Sequence, residues 1–457
     1  MNNLQNDLNM AKELALRVRE RGGRVWMVGG CVRDELMGRE IKDIDVEVHG
    51  VSASVLEEIL DSLGERMAIG ESFGIYALKG CGMDIAMPRK EQLRGRGHKD
   101  FDVFTDPDLG EKEAARRRDF TVNAMMRDVL TGELCDPFKG QRDLKRRILR
   151  HVDDRTFPED PLRVLRAAQF AARFEFHLAK ETVELCKRMP LDALSKERVE
   201  GELKKALLQS QHPSIFFRVL RDMEQLGFWF PEIEALIGVP QNPRFHTEGD
   251  VWNHTMLVLD AAVKYREQAE NPFGFMLSAL THDLGKITAT EYETGKFHAY
   301  GHETIGLPMA EAFLRRISNE KELIDYVLNL TALHMKPTTI VVSGASLKTS
   351  NHMFDDSVDP EGLIYLSMAD GQGTRSPYPY VSSEENLRAR LAVYRETMAQ
   401  PYVMGRDLIE AGLEPGPDFS DFLDLAHKLR LAGIPKDEAL KQVLAEARKS
   451  RRKKGNG

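Results

Sequence analysis

The sequence predicts an α/β domain at the N-terminal end followed by an all-α remainder, and three observations carry that prediction. Strand-like runs punctuated by glycine are confined to about residues 24–150. Beyond residue 151 the apolar residues recur at helical spacing instead. Within that helical part, residues 241–375 hold seven of the thirteen histidines.

In chain order, Leu8, Ala11, Leu14 and Val18 give residues 1–23 one apolar helical face, which Gly22 and Gly23 end. Arg24–Val28 is a short strand running into Gly29-Gly30. Further strands are expected at 43–48, 75–79 and 83–87, with Ser52 starting a helix between the first two. Gly80-Cys81-Gly82 reads as the tight turn joining the last pair. Helical periodicity marks 162–174, 198–208 and 214–226. Residues 375–380 read as a loop or linker, helices resume near Ser383, and the basic stretch 448–457 is expected to be disordered. The chain thus divides into 1–150, 151–240, 241–375 and 376–457.

At 457 residues the chain is too long for one ordinary core, so several domains are expected. A composition of 42% hydrophobic and 30% charged residues excludes bulk disorder. The formal net charge of −8 argues against a simple basic coat for nucleic acid. Local basic patches exist all the same, at Arg116-Arg117-Arg118, at 139–150 and at 448–454. The four cysteines are far apart with no CxxC pair, which reads as reduced thiols. With no apolar signal core and no bilayer-length apolar run, a cytoplasmic protein with no membrane partner is expected.

The most informative run is Gly29-Gly-Cys-Val-Arg-Asp34 followed by Lys42-Asp-Ile-Asp-Val-Glu-Val48. Side chains alternate along a strand, so Asp43 and Asp45 share one face while Ile44, Val46 and Val48 enter a core. Two such carboxylates repel each other unless a cation lies between them. By itself a D-x-D is more often two solvated acids. After a Gly-Gly turn and an arginine it suggests a Mg²⁺-nucleotide site. Gly30 at a helix start lets backbone N–H groups approach phosphate, and Arg33 lies within reach of a triphosphate. Asp34 reads equally as a first-turn acid. For a third metal-binding carboxylate, Asp84 on the 83–87 strand is preferred to Glu47, one step further along.

Arg117-Arg-Asp-Phe-Thr-Val-Asn-Ala124 brings two forked guanidiniums suited to phosphate oxygens. In Glu159-Asp-Pro-Leu-Arg-Val-Leu-Arg-Ala167, Asp160 is an N-cap and Pro161 the first helical residue. Asp160 and Arg163 lie three apart on one helical face, an acceptor beside donors. The Watson–Crick edges of cytosine and adenine present an amino donor beside a ring-nitrogen acceptor, whereas guanine and uracil reverse the order. One Asp/Arg pair thus accepts CTP and ATP without a template.

These motifs, with Asp136-Pro-Phe-Lys-Gly-Gln-Arg-Asp-Leu-Lys-Arg-Arg-Ile-Leu-Arg-His-Val152, resemble in order and spacing the class II tRNA nucleotidyltransferases, the bacterial and eukaryotic CCA-adding enzymes. The resemblance implies a head with the polymerase-β-like nucleotidyltransferase fold, then helical neck, body and tail. It implies that Asp43 and Asp45 are catalytic and bind Mg²⁺, and that Gly30, Arg33 and Arg118 contact the incoming nucleotide. Asp160 and Arg163 would read its base, with Arg166 assisting, and tRNA, CTP and ATP would be the substrates. Gln169 departs from the family, many members of which carry arginine there. Residues 89–98 correspond to the flexible loop linked to switching from C to A addition, and 403–417 to segments that grip the tRNA elbow.

His254, the adjacent His282-Asp283, and Asp370 supply nitrogen and oxygen ligands for a divalent ion, with His302 and His334 available for a second metal or a phosphate. This set resembles the HD phosphohydrolases, and with 238–256 it resembles the longer CCA enzymes that carry an HD domain. That resemblance implies hydrolysis of 2′,3′-cyclic phosphate or 2′-phosphate in tRNA end repair. The ligand set does not separate Mn²⁺, Ni²⁺, Co²⁺ and Mg²⁺. Alternatives are a CC-only or A-only enzyme, a poly(A) polymerase, a hydrolase whose head merely holds RNA, or a tRNA-binding protein without catalysis.

Overall fold

The computed structural model describes residues 2–70, 74–93, 101–377 and 382–454. The chain forms two compact units, Met1–Phe228 and Trp229–Gly457.

In the first unit the strands are β1 (Arg24–Val28), β2 (Ile44–His49), β3 (Arg66–Gly70), β4 (Ile75–Leu78), β5 (Met83–Ala86), β6 (Arg89–Leu93), β7 (Phe101–Thr105), β8 (Met126–Asp128) and β9 (Leu134–Cys135). Seven of them make one sheet in the order β3-β4-β5-β2-β1-β8-β9, while β6 and β7 pair separately. All its pairs are antiparallel except β2 with β5. Alternation decides what each face carries. Val25, Met27, Ile44, Val46 and Val48 enter one core with Ala11, Leu14 and Val18 of the helix Asn2–Glu20 and Leu56 and Leu60 of Ala53–Leu63. The opposite face of β2 is left to Asp45, Glu47 and His49. Ser52 caps Ala53–Leu63 by accepting from Val55 N.

Residues 89–93 and 101–105 pair as a ladder, so the first half of the segment expected to be a flexible loop is strand, and residues 94–98 lie outside the described residues. The helix Leu162–Phe174 buries its apolar face against Lys196–Gln209 and Ser214–Asp222. The helix expected over 214–226 ends at Asp222. Glu224 takes φ 55°, and the buried Gln225 Nε2 donates to the carbonyls of Cys186 and Met189. That local reversal is stabilised by distant carbonyls, which sequence periodicity does not register.

Among its described residues the second unit has helices and one hairpin, Glu291–Glu293 with Lys296–His298, turning at Thr294-Gly295 with both φ positive. Its centre is built by Val251–Ala262, Pro272–Thr281, Lys321–Leu333 and Pro360–Gly373, capped respectively at Asp250 and Asn271 for the first two and at Asp359 for the last. Gly405–Glu410, Phe419–Leu431 and Lys436–Lys454 share a smaller core around Leu408 and Val443. The basic stretch expected to be disordered is therefore helical as far as Lys454. No described helix is long and apolar enough to cross a membrane.

Candidate nucleotidyl-transfer and metal sites

A cavity of about 1070 Å³ opens in the first unit, and Gly30, Arg33, Asp43, Asp45, Arg118, Asp160, Arg163 and Arg166 all line it. Asp45 and Asp84 are direct partners across the parallel β2–β5 pair, so their side chains rise from the same sheet face. Burial pushes the Asp45 carboxyl up, Arg118 opposes this, and Asp84 and Asp43 push it further. A carboxylate raised by two neighbouring acids in this way fits a divalent cation, the charge that would relieve it. Glu47 is engaged elsewhere. It is buried, accepts from His49 Nε2 at 2.9 Å and lies 3.8 Å from both Arg117 and Arg118.

Gly29 sits at φ 75° directly under Arg118, where a Cβ would come within 2.9 Å of Nη1. Its left-handed backbone conformation favours glycine, whereas the tip of the Arg118 side chain could shift to admit a Cβ. Arg33 is 4% exposed and held by Asp34 Oδ1 at 2.8 Å and Asn123 Oδ1 at 2.7 Å, over the Phe174 ring. Its guanidinium is thus fixed at the cavity wall before any nucleotide arrives.

The helix starts at Leu162, with Pro161 and not Asp160 at its N-cap position, and Asp160 Oδ1 accepts from Leu162 N at 3.1 Å from one residue further out. Its carboxylate is also gripped by Arg198 Nη2 at 3.0 and 2.9 Å. Arg163 donates from Nη1 to Thr156 O and from Nη2 to Arg117 O, both at 2.5 Å. A guanidinium has five N–H groups, so these two bonds set its plane and leave donors for a base. Arg166 is tied to Asp119 Oδ2, by Nε at 2.9 Å and Nη2 at 2.6 Å. Arg198 and Asp119 were not expected as site residues. Each acts through a partner 38 or 47 residues away, a separation no local motif encodes. Gln169 lines the same cavity, 1% exposed, with Nε2 buried and unpartnered.

In the second unit the six expected ligands come together. His254 Nε2 lies 3.0 Å from Asp370 Oδ1 and 3.5 Å from Asp283 Oδ2, and His282 Nε2 lies 3.3 Å from Asp283 Oδ2. On the other side of the same carboxylate, Asp283 Oδ1 lies 3.2 Å from His302 Nε2 and 3.9 Å from His334 Nε2. Asp283 thus offers one oxygen to each of two histidine pairs. Lys286 Nζ sits 2.7 Å from Asp283 Oδ2 and donates to Gln241 Oε1 at 3.0 Å.

The hydrogen bonds fix which nitrogen is free. Nδ1 of His282, His302 and His334 lies 2.9, 2.7 and 2.7 Å from the carbonyls of Ala279, Ala299 and Thr331. A carbonyl only accepts, so each Nδ1 carries a proton, and Nε2 is the nitrogen that has a lone pair whenever the ring is neutral. His282 Nε2 is buried with no hydrogen-bond partner. His302 and His334 face each other at 3.2 Å through their Nε2 atoms. Lone pairs converging on two carboxylates are the donor set of an imidazole–carboxylate divalent site. Burial tends to lower His254, yet Asp370 and Glu248 push it up to about 9, while burial and His282 push His334 down to about 3.

Gly285, two residues past Asp283, is where backbone packing sets this geometry: a Cβ there would lie 1.9 Å from His302 O. Gly285→Ala must push the His302 segment away. It is expected to weaken Mn²⁺ uptake by about tenfold or more, read by calorimetric titration, with tRNA extension by the same preparation unchanged.

A sheet-borne carboxylate site beside guanidiniums, joined in one chain to a histidine–aspartate cluster, defines a nucleotidyltransferase carrying an HD-type metal site. Residues 25–150 match the Poly A polymerase head domain family, 175–237 the family described as "Probable RNA and SrmB- binding site of polymerase A", and 251–370 the HD domain family. The multifunctional CCA protein of Pseudomonas fluorescens is 36% identical over 421 residues, 88% of this chain and 96% of that protein. That of Halorhodospira halophila is 34% identical, covering 91% and 98%. The chain belongs to the multifunctional CCA protein family. Its fold is similar to the Thermotoga maritima CCA-adding enzyme complexed with tRNA, with TM-score 0.64 and 20% identity over 96% of this chain and 95% of that one. It is likewise similar to the Bacillus stearothermophilus CCA-adding enzyme in complex with CTP, with TM-score 0.66, 21% identity and coverage of 99% and 100%.

Proposed function

We propose that this chain adds C, C and A to tRNA 3′ ends from CTP and ATP without a nucleic-acid template, and that its histidine–aspartate cluster hydrolyses 2′,3′-cyclic phosphate or 2′-phosphate at damaged ends. The observation that carries the transferase reading is the cavity that collects Asp43, Asp45, Arg118, Asp160 and Arg163 on one wall system. Asp43, Asp45 and Asp84 would hold Mg²⁺. When bound, Mg²⁺ neutralises the triphosphate and lowers the pKa of the attacking 3′-hydroxyl. Arg118 and the N–H groups at Gly30 orient phosphates, and Arg33 stiffens that wall. Asp160, oriented by Arg198, accepts the base amino group, and Arg163, fixed by two carbonyls, donates to the ring nitrogen. Guanine and uracil would place donor against donor and acceptor against acceptor there, which buried polar groups reject strongly.

In the second unit His254, His282, Asp283 and Asp370 would hold a divalent cation, with His302 and His334 facing a second position across Asp283. Mn²⁺, Ni²⁺, Co²⁺ and Mg²⁺ all suit that donor set. A cation there polarises a phosphate and activates water. Lys286 is placed to follow the phosphate's negative charge.

The test uses purified protein, Mg²⁺ and a tRNA transcript lacking its last three nucleotides, read at single-nucleotide resolution. Growth by two with CTP alone and by three with CTP and ATP is expected. Arrest at two with both nucleotides would mark a CC-adding enzyme, a long A-tail a poly(A) polymerase, and no growth at all would overturn the transferase reading.

A further inference from the structure

Beside the histidine–aspartate cluster lies a third group of close-set ligand types, His246, Glu248 and His254, of which the sequence-derived ligand set contained only His254. Its distances are those of hydrogen bonds. Glu248 Oε1 accepts from His246 Nδ1 at 2.8 Å and from His254 Nδ1 at 3.1 Å. The Glu248 side chain is 2% exposed, and its second oxygen accepts from Arg375 N at 3.0 Å. Thr247 closes the same junction, donating to Arg375 O from its backbone N at 2.7 Å and from Oγ1 at 2.9 Å. Arg375 lies just past the helix Pro360–Gly373 that carries Asp370.

We propose that Glu248 is the positioning residue of the metal site, and that the His246–Glu248–His254 group is a carboxylate relay and not a further metal site. The proposal rests on reading the neighbouring cluster as a metal site. Three of its four histidines have Nδ1 on the main-chain carbonyl of the residue three before them. His254 alone has Nδ1 on a side-chain carboxylate. That carboxylate holds a proton on Nδ1, so Nε2 is the nitrogen turned toward Asp370 and Asp283 and the one that gives up its proton to a cation, and the negative charge of Glu248 makes the imidazole a better donor. Binding a separate ion through His254 Nδ1 would require the ring to lose both protons, which a histidine flanked by Asp283 and Asp370 resists electrostatically. His246, ring edge to His254 at 5.2 Å, fills the other lobe of Glu248 Oε1 and fixes its rotamer. Because Oε2 is bonded to the chain after Asp370, one side chain sets the His254 ring and the spacing between the two helices that bear His254 and Asp370.

The experiment titrates Mn²⁺ into the chelator-stripped full chain by calorimetry, for wild type, Glu248→Gln and Glu248→Ala. Thermal unfolding is followed with and without Mn²⁺. The expected result is an affinity lower by about 10–100-fold in Glu248→Ala at an unchanged number of ions. Glu248→Gln should lose less, because its amide oxygen still accepts the Nδ1 proton but without charge. Metal-free Glu248→Ala should unfold at a lower Tm and metal-free Glu248→Gln nearer wild type, while the Mn²⁺-induced rise measured from each variant's own metal-free Tm shrinks in both, which a purely structural role would not produce. Wild-type affinity in both variants would overturn the proposal. So would loss of one ion with the remaining affinity intact, since Glu248 would then be a ligand. A wild-type chain that takes up no Mn²⁺, Ni²⁺ or Co²⁺ would overturn the metal-site reading itself, and the proposal with it.

Discussion

Asp45→Asn is expected to lower CTP and ATP incorporation into tRNA by about 10³-fold or more, while hydrolysis at the histidine–aspartate cluster stays within about twofold of wild type. The substitution keeps the side chain's volume and removes its charge. Asp45 is the central member of its acidic set, two residues past Asp43, which just precedes the strand, and opposite Asp84 on the neighbouring strand. Divalent-cation stabilisation of phosphoryl transfer is worth several kcal/mol, and each ~1.4 kcal/mol is a factor of ten. Loss of the shared ligand therefore costs about three decades or more. Relieving the repulsion should leave the fold as stable as wild type or slightly more so. Single-turnover extension of a tRNA lacking CCA checks the rate, and hydrolysis of a nucleoside 2′,3′-cyclic phosphate checks the other site. Normal extension by Asp45→Asn would remove Asp45 from the mechanism. Lost hydrolysis in the same variant would show that the effect is not local.

What the sequence made legible follows the range of the interactions involved. Asp43 and Asp45 were readable because a strand's two-residue period, with Ile44, Val46 and Val48 between and beyond them, assigns faces without further information. The helix at Leu162–Phe174 was readable because its start signal, Asp160-Pro161, and its apolar stripe lie in one short segment. The six candidate metal ligands could be named from the sequence as residue types, but their geometry could not. Asp283 divides its two oxygens between two histidine pairs only because His302 and His334 arrive from later helices. Glu248 lies six residues before His254, ahead of the helix that carries it, and no local pattern singles it out. Its meaning comes from His254 Nδ1 and from Arg375, 127 residues further on. The broken helix at Glu224 failed for the same reason, since the carbonyls that hold Gln225 belong to the 186–189 turn. The hairpin around Thr294-Gly295 was missed although Thr-Gly marks its turn, because its three-residue strands, the first exposed throughout and the second half-buried at Phe297 and His298, are too short to show alternation.

Asp119→Ala should destabilise the first unit by about 2–4 kcal/mol, and Asp119→Ala/Arg166→Met should recover most of that loss. Asp119 is 7% exposed and fully engaged. Oδ1 accepts from Asn123 Nδ2 at 2.9 Å and Oδ2 takes the Arg166 fork. Removing it leaves the Arg166 guanidinium without its main counter-charge. Glu202, at 3.9 Å, is a weaker substitute. A fully buried pair broken on one side costs about 3–5 kcal/mol, and the lower range applies because the Arg166 side chain keeps 32% of its exposure. Burial would raise Asp119, but Arg166 and Asn123 outweigh it and hold the carboxyl below its ordinary value. A depressed folded-state pKa contributes stability above the unfolded value of about 3.9. That contribution is lost as pH falls through the folded value. Denaturant unfolding of wild type should therefore weaken below about pH 4 more steeply than that of the double variant. Parallel acid profiles would show that the pair adds nothing to stability and serves only to place Arg166 at the nucleotide cavity. In that case the single variant should fail in nucleotide addition, through KM for CTP and ATP, before it fails in folding.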